Sequence, residues 1–323
     1  MAANMYRLFF SLLPIAALLF WQALRDTQAS LLRQVYQFPH GTWVENIAVR
    51  PNGNLLVTLV NQPELWEIVS PHQPENTRAH LIYRFDDAGM ATGITEITPD
   101  VYVALTPNRV WEIDLTQAAT HTRLIANIDK AGSLNGMTLL NQQERTVAIA
   151  DCQLGVVWRL NTKDGSHTVM LQDETMAAND DLGPLLGING LRKHQDYIYY
   201  VNTPRGLYGR VRVDAINGYA LGPYEIISKG VMADDFAISP SGVGYLAGVA
   251  ENVIFRAFLN GTQEMVAGGL SRTAVTRPTS AAFGRNGNSN ILYITTGGNT
   301  SDLTTYDGKG EILALKSNPL EEM

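Results

Sequence analysis

The chain has one cysteine, Cys152, in 323 residues. A lone thiol excludes an internal disulfide and any cysteine-based metal cluster, so packing must supply the stability. Basic residues are also in deficit, 24 against 31 acidic, and the net charge of -7 would repel a phosphate backbone. Nucleic acid is thereby excluded as a partner. No long stretch has helical periodicity, and no G-x-S-x-G elbow, Walker loop or zinc-ligand spacing offers a ready chemistry. At 45% hydrophobic and 17% charged residues the chain has no compositional sign of disorder and can bury a large core.

One long apolar run stands apart, Leu8 to Leu24, interrupted only by Ser11, Pro14 and Gln22. With Arg7 before it and the small residues Thr27 and Ala29 after it, residues 1–29 read as a secretory signal peptide cleaved near Ala29. An uncleaved anchor is the second reading, because the run is long for a signal and short for a bilayer span. The expectation is a protein of the secretory pathway or a secreted one, with residues 30–323 as a single domain and no stable membrane association once the segment is removed. Asn260-Gly261-Thr262 and Asn299-Thr300-Ser301 would then be N-glycosylation acceptors.

The rest of the chain is made of short runs rich in Val, Ile, Tyr and Leu between turn clusters, the pattern of a nearly all-β protein. The runs recur. Asn46-Ile47-Ala48-Val49, Gly93-Ile94-Thr95-Glu96, Gly136-Met137-Thr138-Leu139, Gly190-Leu191-Arg192-Lys193, Asp235-Phe236-Ala237-Ile238 and Ser280-Ala281-Ala282-Phe283 start 47, 43, 54, 45 and 45 residues apart. Each precedes a turn and a second strand, such as Leu55-Leu56-Val57-Thr58, and a third closes the unit, such as Glu64-Leu65-Trp66-Glu67-Ile68. Repeats of about 40 to 50 residues with about four strands each predict the blades of a six-bladed β-propeller. Leu31 to Phe38 has no blade of its own and is expected to supply the outer strand of the last one, closing the ring by pairing the two ends of the domain. The long interval, with Asp173 to Pro184, reads as an inserted loop.

Residues just before the first strand of each blade should gather at one mouth of the central channel. They are Glu45, Thr92, Asn135, Asn189, Asp234 and Thr279, and all six carry a side-chain oxygen. Turn hydrogen bonds account for the two threonines. They account less well for Glu45 and Asp234, whose charges would repel each other near the axis without a cation or donor. Carboxylates and amides without histidine suit a hard divalent cation, calcium or magnesium, and no other cofactor is implied. By strand alternation Asp235 is expected to point away from this ring as a turn or blade-packing residue.

The motifs Trp43-Val44-Glu45-Asn46, Leu134-Asn135-Gly136-Met137, Gly187-Ile188-Asn189-Gly190-Leu191 and Ala233-Asp234-Asp235-Phe236-Ala237 resemble the regucalcin and gluconolactonase superfamily across essentially the whole mature chain. Leu154-Gly155-Val156-Val157-Trp158-Arg159 and Thr279-Ser280-Ala281-Ala282-Phe283-Gly284-Arg285 resemble a fungal, secretory branch of it. The resemblance implies a divalent metal held by Glu45, Asn189 and Asp234, with Asn135 on the substrate. The lactonase pattern is altered at Glu45-Asn46-Ile47 and at Asp235-Phe236. The fungal branch implies another chemistry, an intermolecular hetero-Diels-Alder reaction joining a tropolone quinone methide to an alkene such as humulene. That reaction needs apolar small-molecule partners held in one orientation and hydrogen-bond donors for a developing oxyanion.

For such a cyclase the catalytic candidates are His40, Trp43, Asn135, Asn202 and Arg205, with Tyr200, Thr92 and Thr279 as substrate contacts. Structural roles compete: His40 lies in the turn Pro39-His40-Gly41, Trp43 can simply pack a blade, and Arg205 can cap a loop. A metal-dependent lactonase with Asp234 accepting a proton is the alternative enzyme, and a non-catalytic binding propeller is the third reading. The oligomeric state is left open.

Overall fold

The structure is a computed structural model, and it describes residues 32–86, 88–179, 186–269, 274–300 and 306–317. The expected targeting segment lies outside the described residues. Six four-stranded antiparallel sheets form the blades of a propeller. The first comprises Val44–Val49, Leu55–Leu59, Glu64–Val69 and Arg78–Arg84 in that spatial order. The inner strands of the other five are Ile94–Thr98, Leu134–Asn141, Ile188–His194, Ala233–Ile238 and Pro278–Phe283.

Blade packing explains the sequence pattern. The second strand of a blade is covered on both faces by its neighbours, so Leu55–Leu59, Thr146–Asp151 and Gly244–Gly248 are buried at every position. Alternation gives way there to mostly apolar or small residues, with the buried Asp151 satisfied by Gly132 N, Ser133 N and Trp158 Nε1. Outer strands such as Arg78–Arg84 meet solvent and carry the charges. The core lies between blades: Leu140, Ala148 and Val157 of the third pack against Leu191, Ile198 and Tyr200 of the fourth.

Ring closure follows the expected pairing. Leu32–Gln37 lies antiparallel to Glu311–Lys316, with Leu32 opposite Leu315 and Gln37 opposite Glu311, and becomes the outer strand of the sixth blade. Phe38 continues the pairing by donating its N–H to Gly310 O at 2.9 Å. The long interval between the third and fourth blades holds a short 3-10 turn, Glu174–Met176, capped by Asp173, whose carboxylate accepts from Thr175 N. Residues 180–185 of that insertion lie outside the described residues.

Most inner strands are interrupted near their first residues. The ladder shifts register between Val44 and Ile47, Leu134 and Met137, Ile188 and Leu191, and Ala233 and Phe236. Each shift is a bulge that frees two consecutive residues from regular alternation. Glu45-Asn46, Asn135-Gly136, Asn189-Gly190 and Asp234-Asp235 are those pairs, and they build the site.

Candidate functional site

The first residue of each pair faces the mouth. Glu45 is buried, and its Oε2 accepts a 2.7 Å hydrogen bond from Trp43 Nε1. Asn189 donates through Nδ2 to Asp234 Oδ1 at 2.5 Å and to Thr203 Oγ1 at 3.0 Å, which turns its amide oxygen away from both acceptors. No Arg, Lys or His pairs with Glu45 or Asp234 among the described residues. Burial raises the Glu45 carboxyl to about 7 against the Trp43 hydrogen bond, with Asp235 adding repulsion. Burial also raises Asp234 well above the carboxylate range, reinforced by Glu45 and Asp235 and opposed by Asn189.

These oxygens fit a hard cation in chemistry. Among the described residues, Glu45 Oε1, Asp234 Oδ2 and Asn189 Oδ1 carry no hydrogen bond, and neither the buried Glu45 nor the half-buried Asp234 has a positive partner. The set has only two carboxylates, and no cluster of three or more His, Cys, Asp or Glu side chains suited to a metal occurs among the described residues. Any cation here would rely on the amide as its third protein ligand.

The second residue of each pair faces inward, and here the expectation for Asp235 is corrected. It is no turn or blade-packing residue but the hub of the channel. Its Oδ2 accepts from Asn46 Nδ2 at 3.0 Å, Ser280 Oγ at 2.8 Å and Arg192 Nη2 at 2.6 Å, tying together the first, fourth, fifth and sixth blades. The second and third blades have Gly93 and Gly136 at this level, and the fourth has Gly190. A Cβ on Gly190 would stand 2.1 Å from Asp235 Oδ1. Alternation failed as a guide because a bulge does not alternate. A signal was available, since glycine fills this position in three consecutive repeats and Asp235, Ser280 and Asn46 fill it in the other three.

Below the hub a cavity of about 410 Å³ opens at the opposite end, lined by Val49, Ile94, Met137, Ile238 and Phe283 among others, with Arg285 and Glu96 paired across it at 2.6 Å. The hub separates the two ends of the channel.

The remaining predicted residues divide. Thr92 and Thr279 are buried and bond the next blade: Thr92 Oγ1 donates to Leu134 O at 3.0 Å and Thr279 Oγ1 to Val44 O at 2.6 Å. Tyr200 and Asn202 are also buried and hold the insertion, Tyr200 through Thr175 Oγ1 at 2.6 Å and Asn202 by donating to Thr175 O and Ala177 O, both at 3.0 Å. His40 is exposed on the connection into the first blade. Arg205, in the turn after Thr203, is half-buried and has no ion pair or hydrogen bond among the described residues, its buried Nε included. The Asn135 side chain likewise has no partner among the described residues, while its backbone oxygen accepts from Gly93 N at 3.0 Å.

An apolar cluster built around the predicted Trp43 completes the mouth. Trp43 is buried against Val60 and Val249, with Met90 and Tyr306 packed on them. The Tyr306 ring meets Trp43 edge to face at 5.2 Å. Val60 and Val249 share one repeat position, the residue directly after the second strand of their blades, where each donates its N–H to the residue before the inner strand. Cys152 lies near Asp234, and burial pushes its thiol up to about 12.

No family model matches the sequence. Two proteins named putative hetero-Diels-Alderases do. One, from Sarocladium schorii, is 32% identical over 311 residues, covering 81% of this chain and 77% of its own. The other, from a Phoma species, is 30% identical over 305 residues, covering 81% and 86%. The chain belongs to their family. Its architecture is the regucalcin and gluconolactonase type of six-bladed propeller. Regucalcin from Agrobacterium tumefaciens superposes with a TM-score of 0.63 at 17% identity, over 88% of this chain and 96% of that one. A luciferin-regenerating enzyme gives 0.66 at 13% identity, over 89% and 97%. Likeness at such identities is one of fold.

Proposed function

We propose that this protein is an enzyme of natural-product biosynthesis, an intermolecular hetero-Diels-Alderase that joins a tropolone quinone methide to a sesquiterpene alkene such as humulene. The observation that carries the reading is the apolar cluster around Trp43, together with Arg205, on the turn after Thr203, whose buried Nε has no partner among the described residues. The names of the relatives supply the reaction class.

In this reaction the O=C–C=C unit of the quinone methide adds across the alkene. One C–O and one C–C bond form, the displaced π electrons restore the tropolone ring, and no atom or proton is lost. The protein has to remove two apolar partners from water in one relative orientation, which converts a bimolecular encounter into a nearly unimolecular step. Arg205 and Asn135 donate to the oxygen as charge develops on it.

The test is to generate the quinone methide in the presence of humulene, with and without protein. One stereoisomer of the adduct in excess over the uncatalysed mixture is the expected result; an unchanged rate and product ratio would sink the reading. Arg205→Met should lower kcat by roughly 10²- to 10³-fold, the cost of a lost oxyanion donor.

The unpaired carboxylates favour a second reading, a lactonase using a divalent cation held by Glu45, Asn189 and Asp234. A bound cation would supply Lewis acidity toward an ester carbonyl. Metal analysis with chelation separates the readings: lactone hydrolysis lost on chelation and restored by calcium or magnesium would establish the second, whereas cycloaddition should survive.

Passage through the secretory pathway belongs to the same proposal. Asn260 and Asn299 are exposed, and Asn260 Oδ1 accepts from Thr262 N at 3.0 Å in an open turn. A mobility shift on enzymatic deglycosylation of protein from a fungal host is expected, and its absence in both Asn260→Gln and wild type would count against this route.

A further inference from the structure

The end of the channel opposite the mouth is hollow, and the repeats show why. Two residues past the hub level, the six inner strands place Ala48, Thr95, Thr138, Arg192, Ala237 and Ala282 at equivalent positions, and all six line the cavity of about 410 Å³. Five of them are small. Inward-facing side chains close a central channel where they are large and leave it open where they are not. Arg192 alone reaches far, and it is committed to the floor: Nη2 donates to Asp235 Oδ2 at 2.6 Å and to Ser280 Oγ at 3.4 Å, and Nη1 to Leu191 O at 2.8 Å.

The walls define the kind of guest that fits. Val49, Ile94, Met137, Leu139, Ile238 and Phe283 make most of them apolar. The three charged residues in the lining, Glu96, Arg192 and Arg285, are already neutralised, because Arg192 pairs with Asp235 and Arg285 with Glu96, each at 2.6 Å. Thr138 Oγ1 is engaged too, accepting from Lys193 N at 3.2 Å. An ionised guest would give up its hydration and find every opposite charge in the wall taken. A hydrocarbon gains apolar burial and breaks no pair. Size follows from volume: a cavity of about 150 Å³ holds one benzene, so at the same room per atom 410 Å³ holds about 16 carbon atoms. The volume lies within the usual range of small-molecule sites.

We infer that this cavity is a second ligand site, separate from the mouth, for a neutral and mainly hydrocarbon molecule of about 15 carbon atoms. The hub of Asp235, Asn46, Ser280 and Arg192 stands between the two ends, so a molecule held here does not meet one held at the mouth. The class of ligand comes from the walls and the volume. Its identification with the sesquiterpene alkene, as a molecule captured apart from the reacting pair, rests on the cyclase reading.

Two methionines report on the two ends, Met137 in the cavity wall and Met90 in the cluster at the mouth. With methyl-labelled methionine, humulene should move the Met137 resonance in a saturable way. The compact ions 1-adamantanecarboxylate and 1-adamantylammonium should bind there at least about 10-fold more weakly, since neither finds a free counter-charge. Ala282→Phe and Ala48→Phe fill the same space from different blades, and each should weaken the Met137 response at least about 10-fold while the Met90 resonance behaves as in wild type. Circular dichroism checks that both variants fold. A Met137 resonance that ignores humulene, either ion binding as tightly as humulene, or a response unchanged in both filled variants overturns the inference. The cyclase reading fails separately, if humulene saturates Met137 in a protein that leaves the cycloaddition unchanged; accelerated cycloaddition without any Met137 response sinks the second site alone.

Discussion

At the scale of single residues, the arrangement at the channel depends on two adjacent aspartates with different work. Asp234 stands at the mouth with Asn189 as its one donor, while Asp235 gathers three donors from three other blades. Arg192 is its only cationic partner and is largely enclosed, so removing the carboxylate strands a buried guanidinium. Asp235→Ala should cost about 3–5 kcal/mol, the usual penalty for breaking one side of a buried pair. Asp235→Asn keeps an acceptor for part of the network and should cost less. Urea unfolding of the three proteins checks this; an alanine variant as stable as wild type would mean that Arg192 relaxes to solvent and the hub carries little energy.

At the scale of the strand, the bulge converts a repeating sequence into an uneven ring. Repeat spacing revealed the six inner strands and the terminal pairing, because blade burial imposes the same apolar pattern six times. The same regularity concealed the hub, since alternation assigns consecutive residues to opposite faces and a bulge suspends that rule. Thr92 and Thr279 illustrate another limit: a polar residue at a repeat position has the same appearance whether it faces a ligand or, as their geometry has it, bonds the neighbouring blade. Glycine at the second bulge position is required by contact and not by dihedral angle. On Gly190 a Cβ would stand 2.1 Å from Asp235 Oδ1 and 2.6 Å from its Cα, whereas on Gly222, in an outer strand, it would meet nothing within 4 Å. Gly190→Ala should therefore destabilise by at least the 1–3 kcal/mol typical of overpacking, roughly, and Gly222→Ala should change stability by less than about 0.5 kcal/mol. Thermal melts of the pair measure the difference, and equal melting temperatures would show that the blades yield.

For the whole molecule, closure of the ring gathers charge that the composition only hinted at. Blades one and five bring Glu45 and Asp234 to one mouth, with Trp43, Asn189 and Tyr306 around them and Asp235 beneath, and no Arg, Lys or His among the described residues pairs with either. A carboxyl whose folded pKa is raised binds protons that the unfolded chain has already released. For Glu45 that window runs from the usual value of 4.5 up to about 7, and Asp234 shifts in the same direction. This contribution to stability is thus fullest at acid pH and is lost as pH rises through the window. Chelator-treated protein should melt at a lower temperature near pH 7.5 than near pH 5, and Glu45→Gln should flatten that slope. If the pair holds a divalent cation, calcium at about a hundred times its dissociation constant should return roughly 2.7 kcal/mol at pH 7.5 through binding to the folded state alone. The same calcium should do much less for Glu45→Gln, which has lost a ligand charge. A melting temperature that falls with pH equally in wild type and Glu45→Gln would move the source of the dependence away from the mouth. A slope that flattens in the variant without any calcium effect would leave a neutral, proton-bearing pair in place of a metal site, and would favour the cycloaddition, which needs donors and no cation.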